Sequence, residues 1–169
     1  MNQAERAELL EQIEKWNDAD EFARCIEAIE AIPEQERDYL LTLKLGRAYS
    51  NLAVLSDRGA LGENAEVDGD LLRHAIDLLE SVRTQGENDP YWNARMGYSC
   101  LMAYSSAATA YEYAKRWLAL APDDPDAQKL VRDCEGYLEE ERTLALDSKE
   151  REEIIRRETP GDGMDVICK

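Results

Sequence analysis

Apolar residues recur at three- and four-residue steps along nearly the whole chain, with polar residues filling the gaps. That is the period of a helix with one buried face. Leu9, Ile13 and Trp16 share a face of a first helix, with Leu10 beside them. Asn17-Asp18-Ala19-Asp20 then reads as a turn rich in N-cap residues. Phe22, Cys25, Ile26, Ile29 and Ile32 make the stripe of a second helix, which Pro33 ends. Leu41, Leu45, Ala48, Tyr49 and Leu52 predict a third helix from about Asp38 to Leu52.

Residues 53–69 carry Gly59, Gly62, Gly69 and several acids, a composition that predicts an inserted loop. A fourth helix begins near Asp70 and presents Leu72, Ala75, Ile76, Leu79 and Val82. The run from Gly86 to Pro90 breaks the chain, and Pro90 suits the first turn of a fifth helix bearing Trp92, Met96, Cys100 and Tyr104. Ser105 or Ser106 caps a sixth, with Ala107, Ala110, Tyr111, Ala114, Trp117 and Leu118. After Ala121-Pro122-Asp123-Asp124-Pro125, a seventh carries Ala127, Leu130, Val131, Cys134 and Leu138. Beyond Leu138 the stripe thins, so 139–158 is expected to be a charged helical extension and 159–169 a flexible tail. No alternating pattern predicts a strand. The expected fold is all-α, with three antiparallel hairpins followed by one long helix.

A short motif occurs twice. Leu45-Gly46-Arg47-Ala48-Tyr49 returns as Met96-Gly97-Tyr98-Ser99-Cys100, and each copy is followed by a helix with a small residue, Ala75 or Ala110. A glycine flanked by bulky residues lets two helices approach closely. Ala75 to Ala110 is a step of 35 residues, against about 34 in a tetratricopeptide repeat. Cys25 to Ala75 is 50 and Gly46 to Gly97 is 51, and a 17-residue insertion at 53–69 accounts for both.

On these residues the chain resembles a degenerate tetratricopeptide-repeat array over about Leu9 to Leu138, with Leu45, Gly46, Tyr49 and Ala75 in one copy and Met96, Gly97, Ala110, Leu118 and Pro122 in the next. Trp92 stands one place early for the pattern, Cys100 replaces a tyrosine, Trp117 replaces a small residue, and the first hairpin lacks the Leu-Gly pair. The stretches IPEQERDYLLTLKLGRAYSNLAVLSD and LLESVRTQGENDPYWNARMGYSCL are similar to bacterial tetratricopeptide-like segments of gut Firmicutes. Such segments often precede a second domain, in some proteins one of the toxin-immunity type. The resemblance implies a right-handed superhelix over residues 1–138 and a protein-binding role. Some members of the family clamp chaperone C-termini with Lys and Asn; the matching positions here are Leu43/Arg47 and Ala94/Tyr98, so that partner is not implied.

Charge narrows the partners. The 169 residues are 44% hydrophobic, enough for a core, yet the formal net charge is -17. Such a chain repels nucleic acid and anionic membranes and favours partners with a basic surface. No run of about 18 apolar residues predicts a membrane span. Met1-Asn2-Gln3-Ala4-Glu5-Arg6 lacks the form of a signal peptide. Cys25, Cys100, Cys134 and Cys168 are scattered, and the first three sit at apolar-periodic positions. They read as reduced thiols of a cytoplasmic protein.

Little points to chemistry. His74 is the lone histidine, which excludes a multi-histidine metal site and leaves no base for a Ser–His or Cys–His dyad elsewhere. Asn64-x-Glu66-x-Asp68-Gly69 echoes the start of a calcium loop, but Ala75 stands where a bidentate acid is required. Neither Gly59 nor Gly62 is followed by the Gly-Lys-Ser/Thr of a phosphate loop. No catalytic, cofactor or metal residue is assigned.

The first helices of stacked hairpins line a concave face. Register from Gly46 places Leu43, Arg47, Ser50 and Asn51 there; register from Gly97 places Ala94, Tyr98, Leu101 and Met102 there, with Lys44 and Arg95 nearby and Tyr91 at an edge. Arg47 and Asn51, one turn apart, are positioned to hold a carboxylate or carbonyl together, unless Arg47 pairs with an acid of the next helix. Tyr111 and Trp117 read as core, Tyr104 and Tyr113 as exposed. The expected function is a non-enzymatic scaffold that binds a peptide or protein on this face. The alternatives are a toxin-neutralising immunity-type protein and a module that self-associates as a homodimer through its last helices.

Overall fold

The computed structural model describes residues 1–60, 67–103 and 106–158. The centre of the expected insertion (61–66), Tyr104, Ser105 and the expected tail with Cys168 lie outside the described residues. The helices are α1 (Gln3–Asp18), α2 (Phe22–Glu30), α3 (Tyr39–Ala60), α4 (Gly69–Ser81), α5 (Arg83–Gly86), α6 (Pro90–Met102), α7 (Ala107–Leu120) and α8 (Pro125–Glu158), with one 3-10 turn at Glu34–Glu36. The class is all-α, as the periodicity predicts.

Local chemistry sets the helix ends. Asn2 and Glu5 form a reciprocal capping box on α1, each backbone N–H donating to the other's side chain at 2.9 Å. Past the end of α1 Asp20 adopts φ 58°, the left-handed conformation that closes many helices. Asp38, Asp68, Asp89, Ser106 and Asp124 accept from backbone N–H groups in the first turns of α3, α4, α6, α7 and α8.

Packing follows chain order. α1 lies on α2, α3 on α4 and α6 on α7; each pair meets the next through α2–α3, α4–α6 and α7–α8. The first helices also touch in series, α1 with α3, α3 with α6 and α6 with α8. Gly46 and Gly97 occupy equivalent positions in this arrangement. A Cβ on Gly46 would come within 2.9 Å of Leu79 Cγ and 3.4 Å of the Ala75 carbonyl. A Cβ on Gly97 would come within 2.8 Å of Leu130 Cδ2 and 3.7 Å of the Ala110 carbonyl. The repeated glycine and the repeated alanine are therefore two sides of the same close approach.

The core divides in two. Ile13, Cys25, Ile26, Ile29, Leu41, Leu45 and Ala48 fill a cluster among α1, α2 and α3. Leu43, Leu79, Trp92, Met96, Ala114, Trp117, Leu130 and Cys134 belong to a second among α3, α4, α6, α7 and α8. α3 supplies both.

Several expectations need correction. α3 continues to Ala60, so residues 53–60 are helix, not loop. Ala53-Val54-Leu55 prolongs its apolar run before Gly59, and the Asp68 N–H returns to the Ala53 carbonyl at 3.3 Å. Gly86 closes the one-turn α5 and is buried under Trp92, whose ring atoms would lie 2.4–2.6 Å from an added Cβ. Tyr113, expected at the surface, is 9% exposed and stacks edge-on against Trp92 at 5.6 Å. Its hydroxyl accepts from Arg83 and donates to Glu80, which lets a polar tip sit in a buried position. Among the described residues no helix is long and apolar enough to cross a membrane.

Candidate functional site

A cavity of about 340 Å3 opens between the end of α1, the start of α2 and the first helices α3 and α6. Binding pockets begin at about 300 Å3. One part of its wall is apolar, made by Phe22, Val54, Leu72 and Met102. The rest is polar: Asn17 and Asp20 from the α1–α2 corner, Ser50 and Asn51 from α3, and Arg95, Tyr98 and Ser99 from α6. Ser50 and Ser99 hydroxyls hydrogen-bond to each other at 2.7 Å and tie α3 to α6. The Asn51 amide donates to Asn17 Oδ1 at 3.2 Å and ties α3 to α1. The Tyr98 ring lies edge-on to Trp117 at 6.0 Å.

Three cations gather around one ring beside this cavity. Lys44 Nζ lies 4.7 Å from the centre of Tyr91, the Arg95 guanidinium carbon 4.9 Å and the Arg47 guanidinium carbon 5.8 Å. Glu14 of α1 pairs with Lys44 at 2.5 Å and with Arg47 at 3.1 Å. Burial pushes the Glu14 carboxyl up, but Lys44 and then Arg47 outweigh it and hold the group below its ordinary value. Arg95 makes no ion pair among the described residues, and its Nε is buried without a hydrogen-bond partner, as are Tyr91 Oη and Arg47 Nε. Burial lowers the Arg95 guanidinium from its ordinary value; the Tyr91 hydroxyl opposes that shift and Arg47 adds to it.

The cavity gathers Ser50, Asn51, Arg95, Tyr98 and Met102 of the residues placed on the concave face. Arg47 and Tyr91 join it through the cation cluster. Arg47 and Asn51 do not converge on an open site, because each already has a partner on α1. Leu43 and Ala94 are corrections: they are 1% and 3% exposed and pack in the core, since α3 and α6 are covered on more than one side. Leu101 is half-buried against the same core. Sequence reasoning missed Glu14, Asn17, Asp20, Phe22, Val54, Leu72 and Ser99. Asn17 and Asp20 read as turn residues, Phe22 and Leu72 as core, and nothing in local spacing brings α1 to α6.

The remaining reactive groups are muted. Burial pushes the Cys100 thiol up to about 11 and raises Cys25 and Cys134 as well, which disfavours the nucleophilic thiolate. His74 is exposed on α4 with its ring 4.6 Å from that of Tyr49. The groups facing the cavity are hydroxyls, amides, one carboxylate and one guanidinium, a set suited to recognition. No family model matches the chain, and no curated protein or solved structure matches it at a significant level.

Proposed function

We propose that the protein is a non-enzymatic interaction module, a degenerate tetratricopeptide-like array that binds a peptide or a protein segment in the groove between α1–α2, α3 and α6. The observation that carries the reading is the cavity itself. It has an apolar wall and convergent polar groups, the mixture found where ligands are held by shape and a few directed bonds. The buried thiols accord with a reducing, cytoplasmic setting. The charge of -17 supports partners with a basic surface, including the basic toxin of an immunity-type pair, and counts against nucleic acid and anionic membranes.

Selection from a displayed random peptide library tests the reading. Met102 is 41% exposed at the cavity, so Met102→Arg fills the groove without disturbing the core. Selected peptides are expected to lose at least tenfold in affinity for Met102→Arg, with the circular dichroism spectrum unchanged. Peptides that bind both proteins equally overturn the groove.

A second reading is self-association. Leu144 and Leu146 are exposed on the part of α8 beyond Leu138. Sedimentation giving a dimer that truncation after Leu138 abolishes favours it over the groove.

A further inference from the structure

The cavity contains a cation that makes no ion pair among the described residues. Arg95 lines it, stacks on Tyr91 at 4.9 Å, keeps its Nε buried and unbonded, and has no carboxylate partner among the described residues. A guanidinium carries five N–H donors and stays protonated, and no carboxylate among the described residues meets those of Arg95, whose neighbour is the Tyr91 side chain. Glu14 is committed to Lys44 and Arg47, which leaves the cluster with more positive than negative charge inside a chain of net charge -17. Arginine suits planar, bidentate acceptors, and a carboxylate has that geometry. Asp20 lies on the same cavity wall and is exposed. The cavity therefore offers a cation at depth and an anion in the open.

We infer that Arg95 anchors a side-chain carboxylate of the bound peptide, a Glu or Asp with a Lys or Arg as close neighbour, and that the basic neighbour faces Asp20. This rests on the peptide-groove reading above. A side-chain carboxylate reaches the anchor on its own methylene stem, which lies along Phe22, Val54 and Met102. A chain-terminal carboxylate has no stem and would have to carry backbone into the cavity, leaving amide groups against that apolar wall. The flanking basic residue offsets the repulsion that a purely acidic peptide meets from the acidic surface.

Four probes separate the sources: N-acetylated, C-amidated Lys-Glu-Lys, its Gln counterpart and Ala-Glu-Ala with the same caps, and N-acetyl-Lys-Lys-Ala with a free C-terminus. Binding is read from the Arg95 Nε–Hε resonance of 15N-labelled protein, assigned by its loss in Arg95→Lys. The Glu probe is expected to shift that resonance and to bind at least tenfold more tightly than the Gln probe. Arg95→Met is expected to remove the Glu-over-Gln preference, and Asp20→Asn to remove the preference for Lys-Glu-Lys over Ala-Glu-Ala. Equal binding of the Glu and Gln probes overturns the anchor, and since both probes are compared on the unaltered protein, this holds even where Arg95→Met fails to fold. Tighter binding of the free C-terminus overturns the side-chain source. Library peptides that bind in the groove irrespective of Arg95 sink the anchor and leave the groove standing. A resonance shifted by free glutamate and by no capped probe sinks the peptide reading instead.

Discussion

Gly86, Gly46 and Gly97 each lie beneath a side chain of another segment, but the atoms above them differ in their freedom to move. Above Gly86 is the Trp92 ring, pinned by its Nε1–H donating to the Leu79 carbonyl at 2.8 Å. Above Gly46 is the branch carbon of Leu79, and above Gly97 a terminal methyl of Leu130. Alanine in a helix normally gains about 1 kcal/mol over glycine. Overpacking costs about 1–3 kcal/mol, so the net sign depends on what can yield. Urea denaturation is expected to rank Gly86→Ala as the most destabilising, at about 3 kcal/mol, Gly46→Ala next, and Gly97→Ala near neutral. Gly46 and Gly97 are legible in the sequence because a small residue between bulky ones recurs with its partner alanine. Gly86 is not, because the ring that covers it folds back from the next helix. Arg95 is a different case. An unpaired, half-buried charge adds little to folding, so Arg95→Met is expected to change stability by less than about 0.5 kcal/mol. A loss well above 1 kcal/mol would show that Arg95 holds the fold together and is not reserved for a ligand.

At the scale of elements, helix starts are readable from the sequence, and so is the far end of α8, but the extent of α3 is not. Asp89 illustrates the first. It precedes Pro90, accepts from the Tyr91 N–H at 2.8 Å, and also accepts from the Tyr39 hydroxyl of α3 at 2.5 Å. Cap and inter-helix bond share one carboxylate, so Asp89→Ala is expected to cost about 2 kcal/mol in thermal or chemical denaturation. α3 illustrates the second. Glycines and acids after Ala53 suggested a loop, but composition does not stop a helix that already carries an apolar run. Side is harder still to read than extent. Leu43 and Arg47 are one turn apart on α3, and period alone cannot say which stripe of a helix covered on several sides stays open. α8 is simpler because only its beginning packs. Residues 139–158 span about 30 Å at the helical rise and are exposed wherever side chains are described. Truncation after Leu138 is expected to remove helical ellipticity while shifting unfolding by less than about 0.5 kcal/mol.

For the whole molecule, charge sets how conditions act. The carboxyls of Asp38 beside Arg6 and Glu80 beside Arg83, with Glu14 beside Lys44, lie below the ordinary 3.8 and 4.5. Their pairings stabilise the fold above those ordinary values and are lost as pH falls through the lower folded ones. Acidification from pH 7 also relieves the self-repulsion of a -17 chain. Stability is therefore expected to hold or rise slightly down to about pH 5 and to fall below about pH 4, checked by urea titrations across that range. Salt separates the two effects: screening at pH 7 is expected to raise the melting temperature by about 3 °C, or about 1 kcal/mol, between 10 and 500 mM NaCl. The division of the core acts in another way. One cluster is held by α1, α2 and α3, the other by α4, α6, α7 and α8, with α3 shared. The Ser50–Ser99 bond and the cavity lie where the two meet. Arrays of this kind unfold with a cooperativity set by the coupling between neighbouring units. A ligand seated on both sides of that junction acts as a fastener, so occupancy would be recorded in the sharpness of the unfolding transition as well as in its midpoint.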